Sequence, residues 1–269
     1  MIKKSGSAGP IVDYRALDLL SSYGWKSSNW AGYSRYAEPY YDSIGNIPNT
    51  RYELMRPFFH VHGEWIVPAV TGNPGSQVVI WVGIDGGEVS VGKPDSHNLL
   101  QIGTGAQVAY GTPPKYFCWW EKIEYPPGAD RVDDTHIVEI ESHPVFPGDL
   151  ITAEVSLFDD FPGFGFPLLR WGTVSITNKT RNWSFQNTMP YYGPGETVEF
   201  IVEHATFSGA PAELANFGSV SFENCTINFD SPKFTVKDRG FMFNRQNKPI
   251  AVPSVPYSGG DGFTVVYPM

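Results

Sequence analysis

Along much of the chain, apolar and polar residues alternate with a period of two, the spacing that sends successive side chains to opposite faces of a strand. In Ile80-Trp-Val-Gly-Ile-Asp85, the positions Ile80, Val82 and Ile84 are aliphatic, while Trp81, Gly83 and Asp85 share the other face. Glu199-Phe-Ile-Val-Glu203 sets Phe200 and Val202 against Glu199, Ile201 and Glu203. Leu100 and Ile102 oppose Gln101, and Trp119 shares a face with Glu121. Four strands thus pair an apolar face with one carrying Trp, carboxyl or amide groups. Placed in one sheet, they present an aromatic floor with several acidic groups. That reads as a groove for a polypeptide or a sugar, because an ordinary solvated face carries Lys, Thr and Ser instead.

The same periodicity, cut by Gly and Pro, predicts strands over 58–67, 77–85, 99–103, 116–125, 136–141, 150–157, 172–177, 197–204, 218–222, 234–236 and 263–267. Phe161-Pro-Gly-Phe-Gly-Phe-Pro and Tyr191-Tyr-Gly-Pro-Gly read as surface loops. Residues 1–25 read as a separate N-terminal extension or pro-segment remnant, with a short helix over 13–20, where Leu17 and Leu20 fall on one face. Residues 26–269 read as a single all-β domain: an antiparallel β-sandwich of two packed, curved sheets, like a jelly roll or a concanavalin. A two-domain split is the alternative.

Composition narrows the function more than the fold. A chain of 269 residues buries enough surface to need no metal or disulfide staple. Charged residues are sparse at 17%, aromatics reach 15%, and the net charge is −9. An acidic chain without a basic patch argues against nucleic acid as a partner. It suits work in acid, and equally a plain solubility role. No apolar run of about 18 residues occurs, so no membrane span is expected. Met1-Ile-Lys-Lys resembles the start of a signal peptide, but Ser5-Gly-Ser-Ala-Gly-Pro follows in place of an apolar stretch. No signal peptide is visible. Cys118 and Cys225 allow one disulfide or two free thiols, and neither sits in a CxxC motif. Asn178, Asn182 and Asn224 begin glycosylation-type triplets.

Several chemistries lack their motifs: there is no GxSxG elbow, no HExxH, no Asp-Thr-Gly or Asp-Ser-Gly and no phosphate loop. His60-Val-His62 places two imidazoles on one strand face, a pattern able to ligate a metal, but no third ligand is evident. No cofactor and no metal are expected. Asp133, Asp134, Glu139 and Glu141 read as a solvated acidic face.

A specific resemblance remains. Lys26-Ser-Ser-Asn-Trp-Ala-Gly-Tyr33, His62-Gly-Glu-Trp-Ile-Val-Pro68, Trp81-Val-Gly-Ile-Asp-Gly86, Leu99-Leu-Gln-Ile-Gly103, Trp119-Trp-Glu121 with Tyr125-Pro126, Pro147-Gly-Asp-Leu-Ile151, Glu199-Phe-Ile-Val-Glu203 and Ala215-Asn-Phe-Gly-Ser-Val-Ser-Phe222 resemble, in order, eight motifs of the eqolisins, the glutamic peptidases. The resemblance implies an acid endopeptidase acting on polypeptides, insensitive to pepstatin, secreted and monomeric. It implies Glu203 and Gln101 as the catalytic pair. Trp81, Asp85, Trp119, Glu121 and Glu199 fall at positions for substrate contact or for holding the pair.

The chemistry is coherent. One Glu carboxylate can take a proton from water and return it to the leaving amine. The Gln amide can donate to the developing oxyanion. Glu199, on the face of Glu203, is expected to raise its pKa by repulsion between like charges. Two departures stand out: Gly105 occupies a position where fungal eqolisins have Asp, and His204 follows Glu203 where they have Asp. Two other readings compete with the peptidase. One is a catalytically inactive binding module for peptide or glycan. The other is a glycan hydrolase using Glu199 and Glu203 as paired carboxylates.

Overall fold

The computed structural model describes residues 24–37, 56–87, 98–124, 132–160, 169–204 and 213–268. Within them the chain forms sixteen strands and no helix. The helix expected over 13–20 and the loop 161–167 lie outside the described residues.

The first sheet runs in the order β1 (Trp25–Ser27), β14 (Arg239–Phe243), β2 (Trp30–Tyr36), β12 (Thr197–Glu203), β4 (Gln77–Asp85), β5 (Leu99–Gln107) and β6 (Lys115–Glu124). Two short strands, β7 (Asp133–Asp134) and β8 (Val138–Glu139), pair with β6. The second sheet runs β13 (Ser219–Ile227), β3 (His60–Ile66), β9 (Leu150–Asp160), β10 (Leu169–Asn178) and β11 (Trp183–Pro190). β15 (Pro249–Pro253) and β16 (Phe263–Val266) bridge β14 to β13, so the two sheets join along one side. The pairings are antiparallel except β1 with β14. The result is the expected antiparallel β-sandwich.

The period-two pattern decides the core. Val78, Ile80, Val82 and Ile84 of β4, Leu100 and Ile102 of β5, and Val198, Phe200 and Val202 of β12 all enter the cluster between the sheets. They meet Val61 and Trp65 of β3, Ala153 and Val155 of β9, and Val174 and Ile176 of β10. Burying such side chains contributes about 1.5–3 kcal/mol each.

Three expectations change. Residues 234–236 form no strand; Phe234 turns inward against Tyr33 and Phe263. The stretch 136–141 keeps only the two residues of β8. The Tyr191 loop is not purely a surface one, because the Tyr191 side chain is fully buried. The edge strand β11 carried the right alternation: Trp183, Phe185 and Met189 pack on the core, while the intervening side chains face solvent. Cys118 and Cys225 are separate, buried thiols. Asn178 is buried and donates to Asp149, so its triplet is not available for glycosylation.

Candidate active site

The register of the first sheet arranges the side chains of its other face, away from the core, in three rows. One row crosses Ser34, Glu199, Gly83, Gln101 and Glu121. The next crosses Gly32, Ile201, Trp81, Gly103 and Trp119. The third crosses Trp30, Glu203, Val79, Gly105 and Phe117. The face is thus built as a polar row and a row holding a single Glu, with an aromatic row between. Glycines make room for the rings: a Cβ on Gly83 would meet the Trp81 ring at 2.9 Å, and one on Gly105 would meet the Phe117 ring at 2.3 Å.

Of the sequence-predicted site residues, Gln101, Glu203, Trp81, Trp119, Glu121 and Glu199 lie on this face, in distinct contacts, and Asp85 does not. Glu203 accepts a hydrogen bond from the Trp81 indole, Nε1 to Oε2, at 2.8 Å. Trp30 stands edge-on to Trp81, with ring centroids 4.9 Å apart. Gln101 donates from Nε2 to Glu121 Oε2 at 2.7 Å, across the neighbouring strand pair. Gln101 and Glu203 therefore face each other diagonally, with Trp81 in the row between them. Trp119 extends that aromatic row. Asp85 turns the other way. It adopts a left-handed φ of 68° and accepts from the Tyr191 hydroxyl and the Glu196 backbone N–H, both at 2.9 Å. Its role here is to hold the 191–196 loop against the sheet.

Electrostatics follow from burial. The Glu203 side chain sits in a row that is otherwise apolar, and burial pushes its pKa up to about 7. The indoles of Trp81 and Trp30 and the Asn29 side chain pull it partly back. Burial, not repulsion from Glu199, is the cause, which corrects the expectation from sequence. Glu199 is itself raised well above the carboxylate range by burial, with Ser34 Oγ donating to it at 3.4 Å. Asp85 is pushed up to about 6 for the same reason.

Two expectations fail on geometry. The face is not an open groove in this state: Gln101 is 0% and Glu203 2% exposed. The backbone spacing also disfavours a glycan-hydrolase pair. Glu199 and Glu203 lie four residues apart on one strand, about 13 Å at the usual rise, beyond the carboxyl separations of glycosidases.

The sequence reading left out Asn29, Trp30, Ser34 and Tyr191, which touch or tune these groups. Asn29 and Trp30 fall inside the Lys26–Tyr33 motif, which served only as a family mark, and no local signal pointed to Tyr191. His60 and His62 lie on the outer face of the second sheet. There, Glu154 sits 3.4 Å from His60 Nε2 and 3.9 Å from His62 Nδ1. These contacts hold Glu154 well below the usual carboxylate range.

Comparison with known proteins agrees with this architecture. The model of the peptidase A4 family matches residues 49–267. No curated protein matches the chain in sequence. Among solved structures, scytalido-glutamic peptidase with a peptide-based transition-state analogue is similar at 20% identity and a TM-score of 0.58, covering 90% of this chain and 98% of that one. The same peptidase with a transition-state analogue inhibitor gives 20% identity and a TM-score of 0.59. SCP-B, a member of the eqolisin family in complex with the tripeptide Ala-Ile-His, gives 18% and 0.59 over the same coverage. At these identities the structures establish a shared fold.

Proposed function

The chain belongs to the peptidase A4 family, and from that premise we propose that it is a glutamic endopeptidase whose hydrolytic pair is Glu203 and Gln101. The observation that carries the reading is the isolated Glu203. It is the one carboxyl group in an apolar row, oriented by the Trp81 indole and set diagonally across that ring from an amide held by Glu121. Ionised Glu203 takes a proton from the attacking water and later returns it to the departing amine. The Gln101 nitrogen carries two hydrogens. One is committed to Glu121, and the reading assigns the other to the carbonyl oxygen as it becomes negative. The reading requires this buried face to open for substrate, with water and scissile peptide over Trp81, the ring between the two groups in the strand register.

The pH range follows from the same burial. A base must be ionised, and burial pushes the Glu203 pKa up to about 7. On this reading the rising limb of kcat/KM is expected near neutrality, above the acid range that the resemblance implied. Secretion and a monomeric working state belong to the same reading.

The experiment is hydrolysis of denatured casein from pH 3 to 8 with pepstatin present, comparing wild type with Glu203→Gln. Pepstatin-resistant cleavage that the substitution abolishes, with the fold intact by circular dichroism, is the expected result. A well-folded wild type that cleaves nothing would favour a peptide-binding module. Cleavage surviving the substitution would assign the base elsewhere.

A further inference from the structure

Glu121 has neighbours beyond Gln101. A carboxylate oxygen of Glu121, one of Asp134 and a ring nitrogen of His136 all lie within 4.8 Å of one another. Glu121 is 2% exposed, whereas His136 is open to solvent. The three come together because β7 pairs with the end of β6, setting Asp134 opposite Ile123. Thr135 locks that pairing: its N–H donates to the Lys122 carbonyl at 3.0 Å, and its hydroxyl accepts from the Lys122 N–H at 3.0 Å. His136 then turns back with a φ of 54°, its N–H on Asp134 Oδ1 at 2.7 Å and its Nδ1 3.3 Å from Asp134 Oδ2. The sequence reading of Asp134 as part of a solvated acidic face misses this convergence, which depends on a buried residue thirteen positions earlier.

Two carboxyl groups this close repel when both are ionised, and a positive charge between them relieves the repulsion. Two carboxylates and an imidazole are a donor set for a borderline divalent ion of the zinc or manganese kind. Calcium and magnesium prefer all-oxygen shells. Three protein ligands at the rim of a buried face also leave positions for water.

We propose that Glu121, Asp134 and His136 form a divalent transition-metal site that regulates the peptidase through Glu121. A carboxylate that coordinates a cation is a weaker acceptor for the Gln101 amide, so occupancy loosens the hold on Gln101 and lowers turnover. The metal site stands on its own geometry; only its effect on turnover rests on the catalytic role given to Gln101.

The test is calorimetric titration of the full chain with Zn²⁺. One equivalent binds to wild type, and Asp134→Asn and His136→Ala each weaken binding at least tenfold. His62→Ala, which removes a ring from the other histidine cluster, leaves binding unchanged. Both site variants keep wild-type activity without metal, because neither residue is in the hydrolytic machinery. Zinc lowers kcat of wild type but not of Asp134→Asn. Affinity that is indifferent to both site variants, or lost only in His62→Ala, would overturn the site. Binding at the site with kcat unchanged would overturn the coupling to Gln101. Because binding is read without substrate, a failure of the Glu203 assignment leaves this result intact and distinguishable.

Discussion

The two sheets each carry acidic residues on the face turned away from the common core, and they treat them in opposite ways. On the first sheet, Glu203 and Glu199 are buried among indoles, glycines and aliphatic side chains, and both carboxyl groups are raised. On the second, Glu154 and Glu64 lie on a partly solvated face, paired with His60 and His62 and with Lys179 at 2.5 Å, and both are lowered. Residue type is the same; surroundings differ. A carboxyl group with matched partners in contact with water is an ordinary surface feature. One kept in a dry, otherwise apolar row is costly to ionise. Such groups are the ones a functional site is built from.

The sharpest way to break this comparison is to neutralise one acid on each sheet. Glu203→Gln is expected to lower kcat/KM by about 10²–10⁴-fold or more, whereas Glu154→Gln changes it by less than about twofold; casein hydrolysis reads both. Gln101→Ala is expected to cost about 10²–10³-fold. If Gln101 and Glu203 act on one water across Trp81, the double variant is no worse than Glu203→Gln alone. Multiplying losses would mean that the two work separately.

Acidity gives the next contrast. With Glu203 as the proposed base and its pKa pushed up to about 7 by burial, kcat/KM should fall about tenfold per unit below that value. A kcat/KM plateau extending to pH 4 would mean that Glu203 of the free enzyme is not raised or is not the base; a plateau in kcat alone would show that substrate binding removes the burial penalty. Stability moves the other way. A carboxyl group raised in the folded state favours folding fully at low pH, and that advantage is lost as pH rises through about 7. Glu203→Gln is therefore expected to stabilise the protein at pH 8, by on the order of 3 kcal/mol from the shift between 4.5 and about 7. At pH 4 it should have little effect; urea titrations at the two pH values check this. Glu154, lowered in the folded state, contributes stability above the ordinary carboxylate range and loses it in strong acid. Being exposed, it is worth at most about 1 kcal/mol. A last test is Gly105→Ala. Its methyl group would press on the Phe117 ring, at an expected cost of about 1–3 kcal/mol, and Phe117→Leu in the same chain should recover part of it.

Much of this was legible in the chain itself. Alternation in 80–84, 99–103, 117–121 and 199–203 correctly separated the core-facing residues from those of the opposite face, because a strand leaves a side chain only two directions. The β11 strand was overlooked although Trp183, Phe185 and Met189 kept the same period, since polar residues in the edge strand masked it. Residues 234–236 had the composition of a strand, but Phe234 found its partners in Tyr33 and Phe263 rather than in a ladder.

The sequence by itself determined many of the strands, their two faces and the residue types offered on each, because these depend on neighbours one or two positions away. Register and burial were decided only by the tertiary structure. Register joins Gln101 to Glu121 and puts Trp81 between Gln101 and Glu203. It also brings Asp134 and His136 to Glu121. Burial raises Glu203, where the sequence pointed to Glu199 as the cause. Both depend on strands distant in the chain lying side by side, and no local pattern records which strand that will be.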